Sequence, residues 1–172
     1  MSKLFHACSL LISLSLLNSV QAEILCTAIK PTQQKLCVIF SIMPDMATQQ
    51  WFVESASGQS RSLPNMSAAM LQVSDIAIDE QGQWLAVLSV GEGHPILEVF
   101  ALKSILQNSG KAQWEINPYP GWLSLEGWQA GILSLQTDRL LSGKVYDSSD
   151  WPEAETTQTY YLNPKTGKLS RK

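Results

Sequence analysis

Apolar runs of four to six residues, broken by polar turn-forming clusters, recur along the whole chain. The clearest example runs from Ser74 to Lys103. Ile76-Ala77-Ile78 is apolar and β-favouring, and Asp79-Glu80-Gln81-Gly82-Gln83 is a polar turn with a glycine placed for positive φ. Trp84 to Ser89 is a second apolar run, Gly91-Glu92-Gly93-His94-Pro95 breaks it, and Ile96 to Phe100 is a third. The pattern predicts three strands and two turns. Upstream it predicts strands at Ile24–Ile29, Lys35–Phe40 and Gln50–Glu54, with a turn around Pro31-Thr32 and a loop over Ser41–Thr48. Asn65–Gln72 reads as a short helical turn or a connector, and Leu102–Gln107 as a helical turn. Downstream strands fall at Trp114–Ile116, Trp122–Leu125, Gly131–Leu135 and Thr157–Leu162, with a further short one at Lys144–Tyr146. Many short strands at this spacing, with little helix, indicate an all-β fold.

The same unit occurs three times. Leu36 begins LCVIF, Leu85 begins LAVLS and Ile132 begins ILSL, at offsets of 49 and 47 residues. Each is preceded by a polar turn and followed by another strand, QWFVE, ILEVF or TYYL, and then by a glycine turn at Gly58, Gly110 or Gly167. An insertion over Ser142–Thr156 stretches the last unit. Repeats in the forties match propeller blades, each a small antiparallel sheet. In Trp84–Leu88 both faces are apolar, as in a sheet covered on both sides. The expected architecture is about three antiparallel blade-like sheets in an open or partial propeller, with a β-sandwich as the alternative. A closed ring needs about four to eight blades, so three call for ring closure by a second chain or for an open stack.

IDEQGQWLAVLS and ILEVFAL resemble the repeat of periplasmic TolB-like and related WD40-like propellers, and YYLNPKTGKLS is similar to the outer-strand turn of such blades. Asp79-Glu80-Gln81-Gly82 departs from the Pro-Asp-Gly of that pattern, and the first unit carries Pro31-Thr32-Gln33-Gln34 with no glycine. The resemblance implies a scaffold for protein interaction and identifies no catalytic residue.

The first 22 residues stand apart from the repeats. Lys3, the apolar stretch Leu10–Leu17 and Val20-Gln21-Ala22 have the order of a secretory signal peptide cut after Ala22. This leaves a single β-repeat domain over residues 23–172, exported to the periplasm or beyond. The apolar stretch falls short of the ~20 residues that span a bilayer, and no later stretch is long enough to span one. Loss of Lys3 leaves 11 basic residues against 15 acidic ones, a net charge of about −4. The cations are scattered, so nucleic acid is not an expected partner. Two cysteines remain, Cys26 and Cys37. A hairpin about Pro31-Thr32 sets them opposite each other, and an even pair in an exported chain is expected to form a structural disulfide.

Candidate chemistry is sparse. His94, the sole histidine after cleavage, lies next to Glu92 in a glycine-rich turn. A carboxylate beside an imidazole suits a hydrolase base, but the simpler reading is a hairpin turn whose glycines supply positive φ and whose histidine is solvated. Asp147, Asp150, Glu153 and Glu155 crowd one loop without calcium-loop spacing. Trp114, Tyr119, Trp122, Trp128 and Trp151 are dense for so short a segment. Trp84 and Trp114 are expected in the core. Trp122, Trp128 and Trp151 flank turns and form, with His94, the candidate binding surface for a protein or a sugar ring. No phosphate loop, zinc spacing or nucleophile elbow is present, so neither a metal nor a cofactor is expected. The chain reads first as a non-enzymatic interaction scaffold of the cell envelope, or one that self-associates. A carbohydrate-binding module and a hydrolase using His94 and Glu92 are the alternatives.

Overall fold

A computed structural model describes residues 21–43, 46–64, 66, 72–91, 93–142 and 151–171. The proposed signal segment falls almost wholly outside the described residues, as do the strand expected at Lys144–Tyr146, most of Asn65–Gln72, and Glu92, Asp147 and Asp150.

Among the described residues, twelve strands form three antiparallel sheets of four. In the first, β1 (Gln21–Ile29), β2 (Gln34–Met43), β3 (Met46–Glu54) and β4 (Ser60–Ser62) pair in chain order. The second holds β5 (Gln72–Ile78), β6 (Trp84–Gly91), β7 (His94–Ala101) and β8 (Trp114–Ile116). The third holds β9 (Leu123–Gln129), β10 (Ile132–Arg139), β11 (Glu153–Asn163) and β12 (Lys168–Arg171). A short helix, α1 (Leu102–Leu106), joins β7 to β8 where the apolar pattern predicts a helical turn. Leading strands pack together, β1 against β5 and β5 against β9. Each sheet is therefore a meander, and every strand pairs only with its neighbours in sequence.

Side-chain alternation builds two cores rather than one. From the first sheet, Ile29, Leu36, Val38, Trp51 and Val53 meet Ile76, Ile78, Leu85, Val87 and Phe100 of the second. From the other face of the second sheet, Ala86, Leu88, Leu97 and Val99 meet Leu133, Leu135, Tyr160 and Leu162 of the third. Successive residues of β6 thus enter opposite cores, which is why its sequence shows no polar face. The helix adds Leu102 and Ile105 to the first core.

The three units align strand for strand: LCVIF, LAVLS and ILSL lie on the second strand of their sheets, and QWFVE, ILEVF and TYYL on the third. Residue by residue, the alignment is out by one. Leu36 faces the following sheet, whereas Leu85 faces the preceding one; the residue equivalent to Leu36 is Ala86, which faces the third sheet. Parity decides this, because a slip of one residue turns a side chain to the other face.

Several boundaries differ from the sequence expectation. The loop expected over Ser41–Thr48 is largely strand, because β2 and β3 stay in register from Lys35↔Glu54 to Met43↔Met46. Glu126–Gln129 belongs to β9 rather than to a turn. A bulge at Gly127 (φ +112°) absorbs the irregular pattern there. The edge strands β4 and β12 are short and polar, so neither gives an apolar signal.

Tips at one end of the sheets interlock. A β-carbon on Gly82 would lie 3.2 Å from Pro31 of the first hairpin, and φ at Gly82 is +66°. Glycine is therefore required there for both space and conformation. Trp128 Nε1 donates to the Ala77 carbonyl at 3.1 Å, tying β9 to β5. Trp114 Nε1 donates to the Pro164 carbonyl at 2.7 Å, tying β8 to the turn between β11 and β12.

The Cys26–Cys37 disulfide is formed. The two residues are directly opposite in the β1–β2 register, with Cα atoms 4.2 Å apart, as the hairpin argument requires.

Candidate functional site

The chain must cross from β8 at the outside of the second sheet to β9 on the inside of the third. It does so over Asn117-Pro118-Tyr119-Pro120-Gly121-Trp122. Two prolines restrict φ and remove two N–H donors. The remaining polar groups hold the loop in shape. Asn117 Oδ1 accepts from the Tyr119 N–H at 3.3 Å, and the Gly121 N–H donates to the Pro118 carbonyl at 2.6 Å. The Tyr119–Pro120 peptide is cis.

Both faces of the Trp122 peptide unit are anchored to β10. The Trp122 N–H donates to Asp138 Oδ1 at 2.9 Å, and Thr137 Oγ1, itself fully buried, donates to the Trp122 carbonyl at 2.6 Å. Asp138 Oδ1 also lies 3.7 Å from Arg139 Nε, an ion pair under the loop. Gly121 sits directly over Asp138 and Arg139, leaving no room for a β-carbon. The backbone is thus fixed, while the Tyr119 and Trp122 side chains are 53% and 40% exposed. His94, at the start of β7, meets the Tyr119 ring edge to face, with centroids 4.8 Å apart and planes at 68°. Its Nδ1 is buried with no hydrogen-bond partner.

The four candidate residues do not form one surface. Trp122 is exposed, and His94 reaches the same loop through Tyr119. Trp128 lies toward the opposite end of β9, half-buried against the second core with its Nε1 used by Ala77. Trp151 is only 8% exposed, lies inside that core, and donates to the Ser142 carbonyl at 2.9 Å. Trp84 and Trp114, expected in the core, both pack against it. Asp138 and Arg139 were not singled out by sequence, and Tyr119 was counted among the dense aromatics but not placed on the candidate surface. The available signal was a tyrosine set between two prolines and followed by glycine, a rigid projecting turn.

Glu92, paired with His94 in the hydrolase reading, lies outside the described residues. Among the described residues no group of three or more His, Cys, Asp and Glu side chains could hold a metal ion, and no helix is long and apolar enough to cross a membrane. What the arrangement offers is a fixed pair of exposed aromatic faces with an imidazole edge and a carboxylate–guanidinium pair beside them. A groove of about 410 Å³ opens farther along the third sheet, among Leu141, Tyr160, Leu169 and Arg171.

No protein-family model matches the chain, and no curated protein matches it. Among solved structures, it is similar in fold to the uncharacterized protein lmo1340 of Listeria monocytogenes EGD-e, with a TM-score of 0.55 at 9% sequence identity. The similarity covers 89% of this chain and 40% of the other, so the chain spans well under half the length of the structure it matches.

Proposed function

We propose that this chain is an exported, non-enzymatic interaction module, an open arc of three propeller-like blades that engages a protein partner through the Tyr119–Trp122 loop. The observation that carries this reading is the loop itself. Its backbone is pinned at Trp122 by Asp138 and Thr137, yet it spends two large aromatic side chains on solvent. Partly exposed aromatics on a rigid support are the residues that dominate binding energy at protein interfaces, because little side-chain entropy is lost on contact. The Cys26–Cys37 bond supports an oxidising compartment. The meander order, with leading strands packed against one another, supports the blade reading.

The same aromatic pair would suit a sugar ring, with Tyr119 taking the place of the half-buried Trp128 and the buried Trp151. A photo-crosslinking residue placed at Tyr119 in living cells separates the two. A single dominant protein adduct, lost when Trp122→Ala is added, is the expected result. Absence of any adduct, together with glycan binding that disappears in the Tyr119→Ala/Trp122→Ala double variant, would replace the protein reading with the carbohydrate one.

A further inference from the structure

The Cys26–Cys37 bond lies on the outward face of the first sheet, opposite to the face that enters the first core through Leu25, Leu36 and Val38. Because the two cysteines are directly opposite in register, the bond runs across the sheet from β1 to β2. Its two ends differ. Cys26 is exposed and lies on β1, an edge strand whose other side pairs with no strand. Cys37 is fully buried, and its cross-strand neighbour on β3, on the same face, is Phe52. A thiolate attacks a disulfide in line with the S–S bond, and access decides which sulfur it reaches. Behind the Cys26 sulfur that line runs out over the free edge of the sheet. Behind the Cys37 sulfur it runs onto β3, toward Phe52.

The strand that carries Cys26 is lightly held. Ala22, Glu23, Ile24, Cys26 and Ala28 are exposed, and Leu25 is packed only in part against the first core. Ile29, at the far end, is the one buried side chain among those described on β1. Its neighbour β2 buries Leu36, Cys37, Val38 and Phe40. Segments with few buried apolar contacts open at low free energy, so the covalent bond carries much of the hold on the first half of β1.

We infer that Cys26 is a thiol-exchange site, open in the folded protein to a dithiol reductant, and that the bond is a latch whose reduction frees β1 from its N-terminal end as far as Ile29. One thiolate of the dithiol attacks Cys26 Sγ. The S–S bond breaks, and its electron pair leaves on Cys37 Sγ, which takes a proton on the side that Cys26 has vacated. The second thiolate then attacks the sulfur joined to Cys26 and releases Cys26, so the dithiol ends as a disulfide and both cysteines as thiols. The Tyr119–Trp122 loop takes no part in this exchange.

The test follows reduction of the oxidised, processed chain by dithiothreitol without denaturant, with free thiols alkylated and mapped by mass spectrometry. Each tenfold rise in dithiothreitol is expected to raise the rate about tenfold, because the folded chain is attacked directly. With glutathione, a monothiol, the trapped mixed disulfide is expected on Cys26 and the alkyl group on Cys37. In the fully reduced chain, exchange of the amides through which Glu23–Cys26 pair with β2 is expected to quicken at least about tenfold, with exchange at Leu85–Leu88 of β6 unchanged. A rate that stops rising with dithiothreitol would show that only the unfolded chain is reduced, and glutathione on Cys37 would reverse the attacked sulfur; either result overturns the exchange site. Exchange that quickens equally in β1 and β6, or in neither, overturns the latch.

Discussion

Asp79 shows how much one side chain can carry in a β-repeat. It is almost fully buried, and its Oδ1 accepts the N–H groups of both Gln83 and Trp84, at 2.6 and 2.8 Å. Its own N–H and carbonyl complete the turn, bonding to Trp84 and Gly82. These contacts close the β5–β6 hairpin and fix the parity with which β6 enters the two cores. Asp79→Ala leaves two N–H donors without their acceptor. Because bonds to a charged group contribute about 1.5–3 kcal/mol each and the turn relaxes in part, the expected loss is about 2–4 kcal/mol, read as a fall in urea midpoint with an unchanged m-value. Asp79→Asn, which keeps an acceptor oxygen, is expected to cost less than half as much; equal losses would show that the turn is held by something else. That Asp79 occupies a turn was legible in the sequence. That it is buried was not, because burial depends on how neighbouring sheets pack, and at the same turn Pro31 and Ile29 of the first hairpin close against Gly82.

For whole elements, pairing rather than composition set the outcome. The second strand of every sheet was legible, since those strands supply the buried residues of both cores. The edge strands β4 and β12 and the first half of β3 were not. Their residues are polar or mixed, and their strand state is held by backbone bonds to a neighbour. The β1–β2 hairpin combined both kinds of information: the turn at Pro31-Thr32 set the register, and the register joined Cys26 to Cys37. Its closed loop is short, 11 residues apart in sequence, so a chain-entropy estimate gives about 2–3 kcal/mol of stabilisation. The Cys26→Ser/Cys37→Ser variant is expected to melt roughly 5–10 °C lower, and dithiothreitol should bring the wild type to the same point. A variant as stable as the wild type would mean that the β1–β2 ladder holds this hairpin unaided. The candidate site was the least legible element. Trp128 and Trp151, which flank turns in the sequence, both serve the core. The exposed loop is instead marked by prolines and by Asp138 and Arg139, 16 and 17 residues beyond Trp122 in sequence and next to it only through the β9–β10 pairing.

At the scale of the molecule, the second sheet is shared. It has no face of its own, because each is half of a core completed by a neighbouring sheet. Loss of either neighbour exposes a continuous apolar surface, so neither core is stable without the sheet between them. The expected behaviour is a single calorimetric transition whose van't Hoff and calorimetric enthalpies agree. Two resolved transitions, one for each core, would contradict the shared-sheet description.

The meander order has a further consequence for how the chain is made. All strand pairings join neighbours in sequence, so the loops that must close are short and contact order is low for an all-β protein. A chain delivered N-terminus first acquires its native contacts in the order in which they emerge. The first sheet is complete by Ser62, and its cystine is available by residue 37. The second covers the first by Ile116, and from that moment Ala86, Leu88, Leu97 and Val99 wait for their partners, Leu133 and Leu135 first and Tyr160 and Leu162 last. This interval of about 45 residues is the window in which a nascent chain is open to misassociation. The surface exposed in that interval is one face of one sheet rather than the whole polypeptide.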